Sequence, residues 1–250
     1  MSKQILILII SAKLLMILPA NSQDILMEET VITDTTIPES GPNMKNYNHT
    51  FIGIGFALGP DSLGSNINYG KSFAFSFGYR YKAKINNFYA LGIDLQYQLN
   101  SFSLKQDSTK LFPNDSLHDK EKVKFHNLSL GFYNRFNYGK RGNYIGNFVD
   151  IGMEIELPFL VAHITKDELK EANENNGKAI KTRTTKLDYI EPYNYSAYAR
   201  IGFNRYVLSA SYRLSRLFTS DPKHYSQYNN GINKYPELPA LSIGLEIGIY

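Results

Sequence analysis

Hydrophobic and polar residues alternate along most of the chain between residues 52 and 249. In the clearest stretch, residues 73–81, every second side chain is aromatic and the residues between them are small or charged. A period of two residues is typical of a β-strand whose two faces meet different surroundings. The pattern predicts eight strands, at residues 52–58, 73–81, 89–99, 128–138, 149–161, 193–203, 206–214 and 241–249.

The two faces of these predicted strands differ in a way that favours lipid on the outside. One face carries bulky apolar side chains, with Asn134 as a polar exception, while the other is rich in glycine, serine and alanine. Bulky apolar residues suit a lipid-facing surface and small residues suit a narrow lumen, so the pattern predicts a transmembrane β-barrel. A soluble lipocalin-like barrel, with the bulky side chains inside around a ligand, is the alternative.

Long and short connections alternate between the predicted strands. The long ones are residues 59–72, 100–127, 162–192 and 215–240, and the short ones are 82–88, 139–148 and 204–205. Outer-membrane barrels have short periplasmic turns and long outer loops. We therefore predict an all-β fold, an eight-stranded antiparallel up-and-down transmembrane barrel over residues 49–250, with both ends on the periplasmic side.

The N-terminal residues 1–22 have the features of a secretory signal peptide. Lys3 precedes a mostly apolar stretch, and Ala20 and Ser22 are small residues that suit cleavage before Gln23. An uncleaved membrane anchor is the alternative, which the short stretch and the interrupting Lys13 disfavour. The polar residues 23–48 are predicted to form a flexible periplasmic lead segment. Together these features predict export to a bacterial outer membrane.

Aromatic residues gather near the short turns of the predicted barrel. A tyrosine ring is apolar and its hydroxyl is hydrated, so tyrosine suits the boundary between lipid and water. The predicted periplasmic girdle consists of Tyr79, Tyr81, Tyr89, Phe136, Tyr138, Phe203, Tyr206 and Tyr250.

Charged residues also occur on the lumen-facing side of the predicted strands. Eight strands leave an interior that side chains just fill, and an unpaired charge there is costly, so we expect the charges to pair and plug the barrel. The predicted network consists of Arg80, Asp94, Arg135, Asp150, Glu154, Glu156, Arg200, Arg213 and Glu246. A gated pore or a proton-linked site is the alternative, because three of the acids crowd one strand.

Composition excludes several classes of protein. The 250 residues contain no cysteine, so disulfides, thiolate metal sites, thiol nucleophiles and a lipidated N-terminal cysteine are absent. Hydrophobic residues make up 43% and charged residues 20%, which is not a disordered composition. The 27 basic and 23 acidic residues are mixed along the chain, so no nucleic-acid partner is predicted.

No motif of an enzyme or metal site stands out. A calcium site formed by Asp107, Asp115 and Asp119 is a candidate, but these residues lack a recognisable ligand spacing. His126 is expected to face outward as in a lipid A deacylase, yet its neighbour on that face is Leu128 and not a serine. A surface protease of the omptin type needs more strands and paired Asp and His residues. We therefore predict no catalysis, no metal and no cofactor.

One long outer connection contains two further features. Residues 165–176 begin like a capping box and precede Gly177, which predicts a short helix. A basic run follows, with Lys178, Lys181, Arg183 and Lys186. We expect this run to face lipopolysaccharide phosphates, so the predicted partners are outer-membrane lipid and lipopolysaccharide. A protein bound at the outer loops is a further candidate.

Several stretches of the C-terminal third carry a resemblance to a known family. They are residues 199–203 (ARIGF), 212–218 (YRLSRLF) and 236–245 (PELPALSIGL), followed by the terminal Tyr250. They resemble the PorT-like family of outer-membrane β-barrels from Bacteroidota-type bacteria. The resemblance implies a barrel over roughly residues 50–250, and an aromatic end that barrel-assembly machinery reads. Because the family shares a fold and not one function, structural, surface-binding and secretion-associated roles stay open, with a narrow pore as the alternative.

Overall fold

The computed structural model describes residues 41–59, 66–110, 112–114, 116–139, 142, 144–169, 178–219 and 235–249. The predicted signal peptide, residues 23–40 of the predicted lead segment and Tyr250 lie outside these ranges. No helix in the part of the chain that the structure describes is long and apolar enough to span a membrane.

Antiparallel strands dominate the described residues and form one sheet. They are β1 (Asn46–Leu58), β2 (Phe73–Lys84), β3 (Tyr89–Ser103), β4 (Lys120–Tyr138), β5 (Asn147–Glu168), β6 (Ala179–Thr185), β7 (Asn194–Phe203), β8 (Tyr206–Arg213) and β9 (Leu241–Ile249). Eight of them close in the order β1-β2-β3-β4-β5-β7-β8-β9, because β9 also pairs with β1. The predicted eight-stranded antiparallel barrel is therefore confirmed.

Exposure alternates along the barrel strands with the predicted period. Outward side chains are apolar and exposed, as at Met153 (55%) and Leu245 (63%), whereas inward side chains are buried, as at Asp94 (0%) and Arg135 (1%). Successive residues of a strand point to opposite faces, so the alternation in the sequence becomes a difference between the outside and the lumen.

At the end of the barrel with the long connections, three strands run further than predicted, and one strand was not predicted at all. β3 continues to Ser103, β4 begins at Lys120 and β5 continues to Glu168, where it pairs with β6. We call residues 120–126 of β4, 160–168 of β5 and all of β6 the projecting sheet. The predicted helix over residues 165–176 is wrong for 165–168, because pairing with β6 overrides the local helix signal; residues 170–177 lie outside the described ranges.

A β-bulge in β5, near the long connection that follows it, reverses the face on which the later side chains lie. His126 pairs with Leu160 while Asn127 pairs with Pro158, so Phe159 is an extra residue in β5. Val161 consequently turns inward and is 9% exposed, which corrects the prediction that residues 149–161 keep one face throughout. A bulge inserts one residue into a strand and interrupts the ladder of backbone hydrogen bonds there. Proline, which has no N–H to donate, is therefore tolerated at this position.

The first barrel strand begins earlier than predicted. β1 starts at Asn46, so residues 46–48 of the predicted lead segment belong to the barrel. Residues just before it contact β2, because Lys82 Nζ donates to the Pro42 carbonyl and Lys84 Nζ donates to the Asn43 carbonyl. Pro42 and Asn43 of the predicted lead segment therefore meet the short-turn end of the barrel.

Candidate functional site

Four charged side chains from four different strands meet across the middle of the lumen. Arg80 contacts Asp94 and Glu246, each at 2.8 Å. Arg200 contacts the same two carboxylates, at 2.5 and 3.3 Å. These side chains are at most 9% exposed, and two positive charges balance two negative ones. We call these four residues the central network.

A second ion pair lies between neighbouring strands. Arg135 of β4 donates through Nε and Nη2 to the two carboxylate oxygens of Asp150 in β5, both at 2.7 Å. Such a two-point contact between a guanidinium and a carboxylate is stronger and more directional than a single hydrogen bond. It therefore holds these side chains in one orientation inside the barrel.

The arginines of these ion pairs also lie over aromatic rings, which the sequence analysis did not predict. The contacts are Arg80 over Phe51 at 4.2 Å, Arg135 over Phe148 at 3.6 Å, and Arg200 over Tyr198 at 4.1 Å. A cation over a ring face is attracted by the ring's quadrupole. Phe51 and Phe148 were missed because each lies one residue before the predicted limits of its strand.

Glycines on neighbouring strands make room for the large rings of the lumen. Tyr133 pairs with Gly92, and Phe148 pairs with Gly202. A Cβ atom at Gly92 would lie 2.0 Å from Cζ of Tyr133, and one at Gly202 would lie 2.1 Å from Cζ of Phe148. The sequence did contain a signal for this packing of rings against glycines, because Gly92, Gly202 and Tyr133 all lie on the predicted lumen face.

The remaining three residues of the predicted network are not paired as expected. Arg213 Nη2 lies 3.6 Å from Glu237, in the connection before β9, and donates to the Leu238 carbonyl. Within the described residues, neither Glu154 nor Glu156 forms an ion pair. Instead they accept hydrogen bonds from neutral side chains. Gln96 donates to Glu154 at 2.7 Å. Asn127 and Ser196 donate to Glu156 at 2.8 and 2.9 Å.

A cavity of about 130 Å³ lies beside these two acids. Its wall includes Glu154, Glu156, Gln98, Arg213 and Leu217. The cavity reaches from Arg200 and Glu246 of the central network to Leu217 and Pro239 in the connection before β9.

Aromatic side chains from the long connections pack together at the end of the lumen where these connections lie. The ring centroids of Phe112 and Phe218 are 4.4 Å apart, and those of Tyr189 and Tyr235 are 4.6 Å apart. They pack in one cluster with Phe125 and other inward residues of the barrel. Burial raises the pKa of the Tyr189 hydroxyl. We call this cluster the outer cap.

Aromatic residues also mark the two ends of the outer surface. The structure places the described members of the predicted girdle near the short-turn end, where Tyr89 pairs with Phe136 and Phe203 pairs with Tyr206. Tyr79, Tyr81 and Tyr138 lie at the same end, and Tyr250 lies outside the described residues.

A second aromatic cluster, near the opposite end, was not predicted. Tyr97, His126 and Phe159 lie together, with the Tyr97 hydroxyl 2.7 Å from Nδ1 of His126. His126 therefore faces outward as expected, and a tyrosine and a phenylalanine surround it. It has no serine among these partners, but the absence of catalysis stays a prediction.

A buried polar cluster supports the inner face of the projecting sheet. Glu121 accepts hydrogen bonds from His163 at 2.6 Å and from Gln106 at 2.7 Å, and Lys110 Nζ lies 2.6 Å away. Burial alone would raise the pKa of Glu121, but these hydrogen bonds hold the pKa below its ordinary value. The cluster was missed because its members come from three distant parts of the chain.

The two candidate calcium ligands that the structure describes have different hydrogen-bond partners. Asp107 accepts a hydrogen bond from Thr109, and Asp119 accepts one from the backbone N–H of Glu168. Asp115 lies outside the described residues. Among the described residues, no group of three or more His, Cys, Asp or Glu side chains is arranged to hold a metal ion.

Comparisons with known proteins find similarity among solved structures alone. No protein-family model matches the chain, and no curated protein matches it. Among solved structures, it is similar to Ail, the attachment invasion locus protein of Yersinia pestis, in complex with the heparin analogue sucrose octasulfate. The identity is 12%, the TM-score is 0.31, and the match covers 82% of this chain and 96% of Ail. The resemblance to the PorT-like family stays a prediction.

Proposed function

We propose that the protein is an integral outer-membrane β-barrel with a closed lumen, and that it has a structural or surface-binding role in a bacterial envelope. The proposal begins with the outer surface, which is apolar all the way round the barrel, for example at Ile54 (58% exposed), Phe132 (52%) and Ile247 (50%). A soluble monomer rarely exposes a continuous apolar surface of this kind. Such a surface is suited to contact with the hydrocarbon of a lipid bilayer.

The distribution of charge inside the barrel disfavours a lipocalin-like protein. A lipocalin-like barrel would hold its bulky apolar residues inside, around a ligand. Here the lumen contains fully buried ionised groups such as Arg80 (1% exposed) and Asp94 (0%). Apolar side chains outside and charged side chains inside are the reverse of the arrangement in a soluble ligand-binding barrel, and they favour insertion in a membrane.

The central network is the observation that carries the closed lumen. Its charges come from β2, β3, β7 and β9, so the ion pairs cross the space through which an ion would pass. The outer cap lies beyond it on one side. On the other side, Tyr47 packs with Ile145, Phe148 and Val207. Three layers of side chains thus stand between the two ends of the barrel.

The finer parts of the proposal concern location and partners. The short turns face the periplasm and the long connections face outward, as in other outer-membrane barrels. The predicted signal peptide would provide export, and barrel-assembly machinery would insert the protein. The PorT-like resemblance adds a secretion-associated role, in which a protein partner binds the long outer connections.

A narrow pore is the second candidate function, and one observation favours it. Glu154 and Glu156 line the 130 Å³ cavity, and no cationic side chain pairs with either within the described residues. Carboxylates without a cationic side chain are the groups that a cation-selective pathway would use. The central network would then have to open for conduction.

Heat modifiability tests whether the barrel is a membrane protein. Closed barrels leave no strand edge unpaired, so the protein folded in detergent should resist SDS at room temperature. An unboiled sample should then migrate differently from a boiled one, and the protein should fractionate with the outer membrane. Detergent-free solubility together with a single band would contradict the membrane proposal and favour the lipocalin-like one.

Planar bilayer recordings test whether the lumen is closed. We expect the unmodified protein to show no steady conductance, and the double variant Arg80→Ser/Arg200→Ser to show small leaks if it still inserts. Cation-selective steps from the unmodified protein that disappear in Glu154→Gln/Glu156→Gln would establish the pore instead. An Asn114→Gln variant in an outer connection serves as the matched control.

A further inference from the structure

Three lysines form one row across the three strands of the projecting sheet. Lys120 of β4 pairs with Lys166 of β5, and Lys166 pairs with Lys181 of β6. Directly opposed residues in antiparallel strands have Cβ atoms about 4.5–5.5 Å apart on the same face, and like charges there destabilise the sheet. Glu168, 3.0 Å from Lys166, offsets only one of the three charges. An anion held by this row would remove the repulsion.

The neighbouring rows add more basic residues to the same face. In the next row Lys122 pairs with Ile164 and Ile164 with Arg183, and Lys124 belongs to the row after it. The opposite face holds the buried Glu121, so these side chains point away from the interior. We call the six residues Lys120, Lys122, Lys124, Lys166, Lys181 and Arg183 the basic face.

The basic face continues directly from the apolar outer surface. Along β4, the outward residues change from Leu130 and Leu128 through His126 to Lys124 and Lys122. At a rise of about 3.3 Å per residue, Lys124 lies about 13 Å along the strand from Leu128 and Lys122 about 20 Å. A tilt of about 45° reduces these to heights of about 9 and 14 Å.

These heights match the polar layer of a membrane. Headgroups extend about 5–8 Å beyond the hydrocarbon on each side of a bilayer. The hydrocarbon edge is placed between the apolar Leu128 and the interfacial His126, about 2 Å above Leu128. Lys124 then lies in the outer part of the headgroup layer, and Lys122 and the row that contains Lys120 lie beyond it. The cluster of Tyr97, His126 and Phe159 lies where an interfacial aromatic cluster is expected, between lipid and the basic residues.

We propose that the basic face binds the phosphate groups of an anionic glycolipid in the outer leaflet beside the barrel. This rests on the proposed function, because only a barrel inserted in the outer membrane brings the face above that leaflet. Arg183 offers a planar guanidinium that can contact two phosphate oxygens, and the lysines supply flexible point charges. A soluble polyanion is the competing ligand, but it would not need a face continuous with the apolar surface.

The support behind the face is rigid, which favours a preformed site. Glu121 is hydrogen-bonded to His163 of β5 and contacts Lys110, so its contacts join β4, β5 and the connection before β4. The backbone hydrogen bonds of the sheet hold the three strands in register. The charges are therefore held close together before any ligand binds, and binding costs little ordering of the backbone.

The test compares charge removal inside and outside the basic face. Lys181→Gln/Arg183→Gln removes two charges from β6, and Lys178→Gln/Lys186→Gln removes two charges that flank β6 and lie outside its rows. Each folded protein is incubated with phosphatidylcholine vesicles that contain either bisphosphorylated lipid A or dephosphorylated lipid A, and the apparent affinity is measured. Heat modifiability of the same samples reports whether the barrel is folded.

We expect the unmodified protein to prefer the phosphorylated vesicles by about tenfold or more, and the preference to weaken as salt increases. The variant within the basic face should lose most of this preference, whereas the flanking variant should keep it. Equal affinity for both vesicles in a sample with the heat-modified band would overturn the inference and leave the proposed barrel intact. Loss of the heat-modified band in the unmodified protein would count against both.

Two further outcomes are decisive. An equal effect of the two double variants would mean that general positive charge, and not the basic face, attracts the lipid. Tight binding of soluble polyphosphate without any preference among the vesicles would identify a soluble polyanion and exclude the glycolipid.

Discussion

Replacing Arg200 by methionine is the sharpest test of the central network. Arg200 contacts Asp94 at 2.5 Å and Glu246 at 3.3 Å, and its side chain is 3% exposed. Without it, two buried carboxylates share Arg80 alone, so the middle of the lumen carries one uncompensated negative charge. Methionine keeps the apolar stem and can still pack on the Tyr198 ring, which limits the change to the charge.

The expected magnitude follows from the burial of the group. Removing one partner of a buried ion pair destabilises a protein by about 3–5 kcal/mol, because the other charge is left without compensation. The lost contact between the Arg200 guanidinium and the Tyr198 ring, 4.1 Å from its centroid, contributes in the same direction. We therefore expect the free energy of unfolding to fall by at least about 3 kcal/mol.

The matched control removes one charge of each sign. Arg200→Met/Glu246→Met leaves Arg80 paired with Asp94 at 2.8 Å, and a neutral replacement of a buried pair is often tolerated. We expect the double variant to recover most of the stability that either single variant loses. The chain has no tryptophan, so urea titrations in lipid vesicles are scored by the unboiled band on SDS gels. A loss below about 1 kcal/mol for Arg200→Met, or a double variant equal to the sum of the singles, would refute the reasoning.

Three further predictions use the same assay. Leu245→Arg should cost about 2–4 kcal/mol if this 63% exposed side chain meets lipid, and Thr184→Arg on the projecting sheet should be nearly neutral. Gly92→Ala should cost about 1–3 kcal/mol through its clash with Tyr133, and less in a Tyr133→Ala background. The native pKa of Glu121 is lowered, so its stabilising effect is full above the unfolded pKa and is lost as the pH falls through the native pKa. The stability gap between wild type and Glu121→Gln should therefore be constant near neutrality and shrink below about pH 4, and a gap independent of pH would contradict this.

The sequence alone determined the type of fold and the face on which most residues lie. Alternation is a local property, since consecutive residues of any extended strand point to opposite sides. Placing Arg80, Asp94 and Glu246 inside and Leu245 outside therefore required only the spacing of residues along each strand and the size of the side chains on its two faces. The regular alternation of long and short connections likewise predicted antiparallel neighbours and closure of the barrel.

The prediction was wrong or incomplete where pairing between distant segments decides the outcome. Residues 165–168 carry a local helix signal, yet β6 supplies them with a backbone partner and they form a strand. The extra Phe159 in β5 reversed the parity that simple alternation gave to Val161. Arg213 contacts Glu237 in a long connection, which left Glu154 and Glu156 to neutral hydrogen-bond donors.

The basic face shows the same division between local and non-local information. The positive charge of Lys181 and Arg183 is visible in the sequence, as is that of Lys120. Their positions on a shared face with Lys166 depend on the register of three strands, which backbone hydrogen bonds set between separate segments of the chain. A period of two residues specifies which way a side chain points, but only strand pairing specifies which side chains it stands beside.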